Sequence, residues 1–174
     1  MRHSFVVAGL IGWLAATTSA AGPASLPGRW IDDRGRELQS FGSDEATAVV
    51  VTMAYGSCRR VCSSALRTMQ QLQREADRRH RSLQFVVVGL DPQQDTPEDW
   101  ALYRRDQGLQ RSNWHFLTGN THDTQRLAAR LNLRYWRYGE HILHDYRIVL
   151  VASDGRVLRH LDRPDQDPSA LLDP

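Results

Sequence analysis

The sequence has few cysteines, little excess charge of either sign and no recognisable hydrolase motif. Only two cysteines occur among 174 residues, and neither lies near the N terminus, so we expect no lipid-modified N-terminal cysteine. The net charge is +2 with neutral histidines, and acidic and basic residues are interspersed, which gives no electrostatic support for nucleic acid as a partner. The chain contains no nucleophile elbow, phosphate loop or zincin helix. Hydrolases and nucleic-acid-binding proteins are therefore not expected.

Long apolar runs are also scarce. The apolar stretch Phe5 to Ala16 covers 12 residues, fewer than the roughly 20 that span a bilayer as a helix. A basic residue, Arg2, precedes it, and the small residues Thr17 to Ala21 follow it, which is the pattern of a secretory signal. We therefore expect residues 1–21 to be a signal peptide, with an uncleaved anchor as the alternative, since the uncharged run continues beyond it.

Export places the chain in the periplasm, or anchored in the membrane and facing the periplasm. Membrane contact is expected only if the N-terminal segment is uncleaved. With 41% hydrophobic and 24% charged residues, the remainder has a globular composition. Residues 22–174 are expected to form a single domain.

Hydrophobic patterning predicts an α/β domain. The β-branched runs Ala48 to Tyr55 and Leu83 to Leu90 are typical of buried strands. Between them, apolar residues at steps of three and four predict one face of a helix: Val61, Ala65, Met69, Leu72 and Ala76. A strand, a helix and a strand of these lengths form a βαβ unit with parallel strands.

The flanking segments complete the expected fold. Thr96 to Asp99 has the capping threonine, the proline and the acidic residues of a helix start, and Thr121 to Leu131 fits another helix. Tyr146 to Ala152 is expected to be a third buried strand, joined through a turn to Arg156 to Leu161, and Trp30 to Leu38 fits an N-terminal hairpin. This order is that of a thioredoxin-like fold, with a central mixed sheet flanked by helices, and it also suits other α/β domains.

The two cysteines, Cys58 and Cys62, lie between the first buried strand and the helix after it. A helix N terminus favours the thiolate, which both metal binding and disulfide exchange require. Residues four apart on a helix have Cβ atoms about 5–6 Å apart, whereas an unstrained disulfide needs about 3.5–4.5 Å. The spacing favours a soft metal such as Cu(I) or Zn. A disulfide needs only a small adjustment if Cys58 precedes the helix, so a redox pair and a structural bridge both stay open.

Four segments resemble the SCO/SenC family of cytochrome oxidase assembly proteins. The run Tyr55 to Cys62 (YGSCRRVC) is similar to the family's copper motif, and Gly89 to Pro97 (GLDPQQDTP) is similar to its second signature. Trp114 to Gly119 resembles a third segment, and His144 stands where the family places its histidine ligand. Four segments in this order make the resemblance specific.

The resemblance implies a thioredoxin-like fold and a copper ion, Cu(I) or Cu(II), held by Cys58, Cys62 and His144. It implies a metallochaperone for the dinuclear copper centre of cytochrome c oxidase, with the copper-bearing subunit or another copper protein as partner. Other thiol–disulfide or copper carriers are further expected partners. Asp91 matches an acidic position of the second signature and is expected to be structural or to support the ligands. The chain has Ser63 where the family usually has proline.

Two alternatives to copper delivery remain. The first is a thiol–disulfide oxidoreductase in which Cys58 and Cys62 are the redox pair, reducing cysteines such as those of the oxidase copper site. The second is a small exported protein whose fold is stabilised by one structural disulfide. We do not expect an enzyme in the strict sense.

The histidines divide into two groups. His141 and His144 are three residues apart, so in an extended segment they face opposite sides and only one can face the cysteines; the family resemblance favours His144. The others are expected at the surface: His80, His115, His122 and His160, with His3 in the targeting segment.

Overall fold

The computed structural model describes residues 28–38, 48–56 and 61–173, and the side chains of all of these except residues 61–63. The predicted signal peptide, residues 1–21, lies outside the described residues. The strands and helices follow one another as β1 (Trp30–Asp32), β2 (Glu37–Leu38), β3 (Ala48–Ala54), α1 (Val61–Arg78), β4 (Leu83–Gly89), α2 (Pro97–Asp106), β5 (Trp114–Thr118), α3 (Thr121–Arg130), β6 (Tyr135–Tyr138), β7 (His141–His144), β8 (Ile148–Ala152) and β9 (Val157–Leu161), and then a short 3-10 helix (Pro168–Leu171).

Seven of the strands form one mixed sheet in the order β2-β1-β5-β4-β3-β8-β9. The three central strands β3, β4 and β5 are parallel, and the remaining pairs are antiparallel. The predicted βαβ unit, the N-terminal hairpin and the final antiparallel pair are confirmed. The predicted thioredoxin-like class, a central mixed sheet with helices against it, is confirmed as well.

The core lies between the central strands and the helices that cover them. Every residue of β3 is buried, as its β-branched sequence predicts for a strand covered on both faces. The predicted apolar face of α1 is buried at Ala65, Met69, Leu72 and Ala76. At the start of α2, Thr96 and Asp99 form a reciprocal capping box, which pairs amides that a helix N terminus otherwise leaves without partners.

Two elements were not predicted from the sequence. One is β5, which lies between β1 and β4 and is parallel to β4. Its Trp114 is buried and stacks on Phe85 of β4 at 5.0 Å between ring centroids. The other is a separate two-stranded sheet, β6 and β7, which carries both histidines that the sequence singled out.

One histidine prediction is wrong. His115 lies half-buried on β5, because alternate residues of that central strand face the two covered sides of the sheet. Burial lowers its pKa, and the nearby Arg104 and Arg34 lower it further. The other three predicted surface histidines of the described region are exposed: His80, His122 and His160.

Among the described residues, none of the helices combines the length and the apolar character needed to cross a membrane.

Candidate metal centre

The candidate site lies where the parallel strands β3 and β4 end. The carboxyl ends of parallel strands meet at one edge of a sheet, where loops and helix N termini can converge on a ligand. Tyr55 and Gly56 follow β3 at this edge, and the chain then continues through the cysteine segment into α1. The segment after β4 begins at the same edge and contains Asp91 and Asp95.

The two cysteines are described only in part. Cys58 falls in residues 57–60, which lie outside the described residues. Cys62 is the second residue of α1, so its backbone is placed in the first helical turn, but its side chain is not described. The predicted sulfur pair therefore stays a prediction, and so does its distance from any other ligand.

His144 is placed beside the residue that leads into the cysteine segment. Its imidazole meets the Tyr55 ring edge-on, with 6.2 Å between the ring centroids. Tyr55 is buried and stands three residues before Cys58 in the chain. The structure thus brings the imidazole to the sheet edge from which the cysteine segment departs.

The pairing of β6 with β7 separates His144 from His141. Tyr135 lies opposite His144, and Tyr138 lies opposite His141. On β7, Ile142 is buried and His144 half-buried, whereas His141 is exposed, so the two histidines face opposite sides, as strand alternation predicts. The inward side is the one that His144 occupies.

The orientation of the His144 ring is fixed by a backbone contact. Its Nδ1 lies 2.9 Å from the carbonyl oxygen of Asp145. A carbonyl only accepts hydrogen bonds, so Nδ1 is the donor in this contact, and in the neutral imidazole the lone pair lies on Nε2. Metal-binding histidines are commonly held in this way through their second ring nitrogen.

A second contact ties the histidine segment to the helix that contains Cys62. The Tyr146 hydroxyl donates a hydrogen bond of 2.8 Å to Thr68 Oγ1 on α1. Both residues are buried, and burial raises the pKa of Tyr146, so this phenol stays neutral and can donate. The chain two residues after His144 is thereby fixed to α1.

Asp95 is a functional candidate that the sequence analysis missed. Its side chain is buried, with Oδ1 accepting the Gly56 amide at 2.7 Å and Oδ2 accepting the Asp91 amide at 2.8 Å. Burial raises the pKa of Asp95 to about 6, against the effect of these two amides, and the charges of Asp91 and Asp99 add to the rise. The sequence signal was an acidic residue in the short segment between Gly89, which ends β4, and Thr96, which caps α2.

Asp91 makes an ion pair across this edge of the sheet. Its carboxylate is nearly buried and accepts a hydrogen bond of 3.0 Å from Arg137 Nη2 on β6. Asp91 therefore connects the end of β4 to the hairpin that contains His144. It lines a cleft at this edge together with Tyr55, Gly56 and Asp95.

The side chains that the structure describes do not by themselves form a metal site. Among them, no group of three or more histidine, cysteine, aspartate or glutamate side chains could hold a metal ion. A site at this edge would therefore require the cysteines. Two thiolates and one imidazole are the soft donors that suit Cu(I), and His144 supplies an imidazole near the start of the cysteine segment.

The sequence model of the SCO1/SenC family matches residues 29–173. The chain belongs to the SCO1/SenC family. A protein of Stutzerimonas stutzeri, provisionally named a copper-binding protein, is 29% identical over 122 residues, which cover 66% of this chain and 58% of that protein. This SCO1/SenC protein spans between 53% and 61% of the length of the curated relatives it matches.

Solved structures of Sco proteins have the same fold. ScoI of Arabidopsis thaliana with copper bound aligns with a TM-score of 0.70 and 15% identity, over 87% of this chain and 93% of that one. BsSco, described as having a disulfide switch and as a member of a family of cytochrome c oxidase assembly proteins, aligns with a TM-score of 0.65 and 20% identity, over 79% and 82%. At these identities the likeness supports the fold.

Proposed function

We propose that this SCO1/SenC protein is a copper metallochaperone whose ion is held by Cys58, Cys62 and His144. The observation that most supports this proposal is the position of the His144 ring, which lies against Tyr55 at the start of the cysteine segment. Family membership and the copper-bound structure of a Sco protein support the choice of metal. Three ligands leave copper accessible to a receiving protein, because the ion can accept another ligand during transfer.

The proposed recipient is the copper-bearing subunit of cytochrome c oxidase, where the copper would enter the dinuclear centre. The description of BsSco as a member of a family of oxidase assembly proteins supports this recipient. Another exported copper protein is the alternative recipient. The proposed place of action is the periplasm, in solution or at the membrane if residues 1–21 act as an anchor.

Copper titration of the reduced mature domain tests the proposal. The wild-type protein should bind one Cu(I) per chain in competition with a chromogenic Cu(I) chelator. Cys58→Ser, Cys62→Ser and His144→Ala should each weaken binding, about 10-fold or more for the histidine variant. His141→Ala is the matched control, because this ring lies on the exposed side of the same strand. Equal affinities of the two histidine variants would remove His144 from the site.

A thiol–disulfide reductase is the second candidate, supported by the disulfide switch described for BsSco. In this reaction Cys58 and Cys62 become one disulfide while a target disulfide becomes two thiols, so two electrons and two protons pass to the target. Exchange requires both cysteines and no histidine. Rapid reduction of a target by metal-free His144→Ala protein would favour this role over copper delivery.

A further inference from the structure

We propose that the turn from Asp91 to Asp95, here called the acidic turn, positions both halves of the metal site at once. Asp95 holds the end of β3 from which the cysteine segment departs, and Asp91 holds the hairpin that carries His144. This inference rests on the proposed function. It assigns Asp91, Asp95 and Arg137 as positioning residues that do not themselves touch the metal.

The first half of the argument concerns Asp95. Its carboxylate joins the Gly56 amide after β3 to the Asp91 amide after β4, at 2.7 and 2.8 Å. The Asp95 side chain packs closely against Gly89, since a Cβ atom added at Gly89 would lie 2.8 Å from the Asp95 Cβ. The Thr118 hydroxyl also donates to the Asp95 carbonyl, which fastens the turn to β5. Gly56 is therefore held two residues before Cys58.

The second half concerns Asp91 and Arg137. The Asp91 side chain is only 7% exposed, and its partner Arg137 is 52% exposed, so the ion pair anchors the hairpin on a buried carboxylate. Arg137 lies opposite Ile142 in the pairing of β6 with β7. Ile142 is buried two residues before His144 on the same side of β7. The ion pair thus acts on the side of the hairpin from which the His144 ring projects.

These contacts make the two halves of the site separable by mutation. Loss of Asp95 should disturb the cysteine segment and every property that depends on the cysteines. Loss of Arg137 should disturb the placement of His144 and leave the dithiol unaffected. A role limited to general stability would affect both properties alike, in proportion to the loss of folding.

The test measures two properties of each variant: Cu(I) affinity by chelator competition, and the equilibrium between dithiol and disulfide in glutathione buffers. Arg137→Gln should lower Cu(I) affinity about 10-fold, should have no effect on affinity in a His144→Ala background, and should leave the dithiol equilibrium unchanged. Asp95→Asn should shift the dithiol equilibrium and should lower Cu(I) affinity in both backgrounds. Such double-mutant cycles isolate the coupling between two residues.

Arg111→Gln is the matched control, since Arg111 makes a bidentate ion pair with Asp77 on the surface and its loss removes the same charge. If Asp95→Asn does not fold, Thr118→Val loosens the acidic turn without altering the buried carboxylate, and its dithiol equilibrium should shift in the same direction. Near-ultraviolet circular dichroism verifies the fold of each variant.

Two results would overturn the inference. One is an Arg137→Gln affinity equal to that of Arg111→Gln, or an equal loss with and without His144. The other is an unchanged dithiol equilibrium in folded Asp95→Asn or Thr118→Val protein. A wild-type protein that takes up no Cu(I) would refute the proposed function instead, while the dithiol equilibrium would still test the role of Asp95.

Discussion

Protonation of Asp95 should make the free energy of unfolding depend on pH in an unusual direction. Its pKa in the folded protein is raised from the ordinary 3.8 to about 6, chiefly by burial. The folded state therefore binds this proton more tightly than the unfolded state. The contribution is fully present below about pH 4 and is lost as the pH rises through about 6, a loss of about 3 kcal/mol.

Other groups make the free energy of unfolding depend on pH in the opposite direction. The pKa of Asp32 is lowered by hydrogen bonds from Arg36 and Arg34 that outweigh its burial, so its contribution is present above the ordinary value and is lost as the pH falls. Burial lowers the pKa of His115. The contribution of His115 to the free energy of unfolding is therefore also lost as the pH falls through its pKa in the folded protein. A comparison with Asp95→Asn removes these shared effects, because asparagine does not titrate.

The assay is urea denaturation of both proteins at a series of pH values. The free energy of unfolding of wild type minus that of Asp95→Asn should fall by about 3 kcal/mol between about pH 4 and pH 7. Asparagine offers one acceptor where the carboxylate offers two, so a constant loss of about 1–3 kcal/mol is expected in addition. As a control, Asp154→Asn removes a carboxyl whose pKa Arg156 lowers, and its difference should change in the opposite direction at lower pH. If the free energies of unfolding of wild type and Asp95→Asn differ by the same amount at every pH in this range, the reasoning is refuted.

Two further substitutions test buried polar contacts between elements of the fold. Arg104→Met should lower the free energy of unfolding by about 3–5 kcal/mol, because Asp33, 2.6 Å from Arg104 Nη1, would stay buried without its partner; a loss below about 1 kcal/mol by urea denaturation would contradict this. Tyr146→Phe should cost about 1 kcal/mol through the lost hydrogen bond to Thr68, and an unchanged midpoint of thermal unfolding would show that this contact does not hold the histidine segment to α1.

The part of the fold that could be predicted from the sequence consists mainly of strands that are buried on both faces. The runs that form β3, β4 and β8 are almost entirely apolar and rich in valine, and few other structures accommodate such runs. The sequence of β6, Tyr-Trp-Arg-Tyr, shows no alternation of apolar and polar residues, because Trp136 and Tyr138 are exposed while Arg137 faces the acidic turn. Strand patterns cannot reveal a hairpin of this kind.

At the candidate site, local sequence patterns distinguish the two histidines but not the contacts of the acidic turn. Strand alternation separates His144 from His141, since side chains alternate with a period of two in any extended segment. The role of Asp95 could not be derived in that way, because its burial depends on its approach to Gly56, which follows β3, and to Gly89, which ends β4. The pairing of Asp91 with Arg137 joins residues 46 positions apart, and no local pattern encodes such a contact.

Copper K-edge X-ray absorption of the Cu(I)-loaded protein tests the central claim most directly. The account predicts ligation by two sulfurs and one imidazole in the wild type and in His141→Ala, and loss of the imidazole contribution in His144→Ala. A spectrum with sulfur ligands alone in the wild type, or an imidazole contribution that persists in His144→Ala, would contradict it.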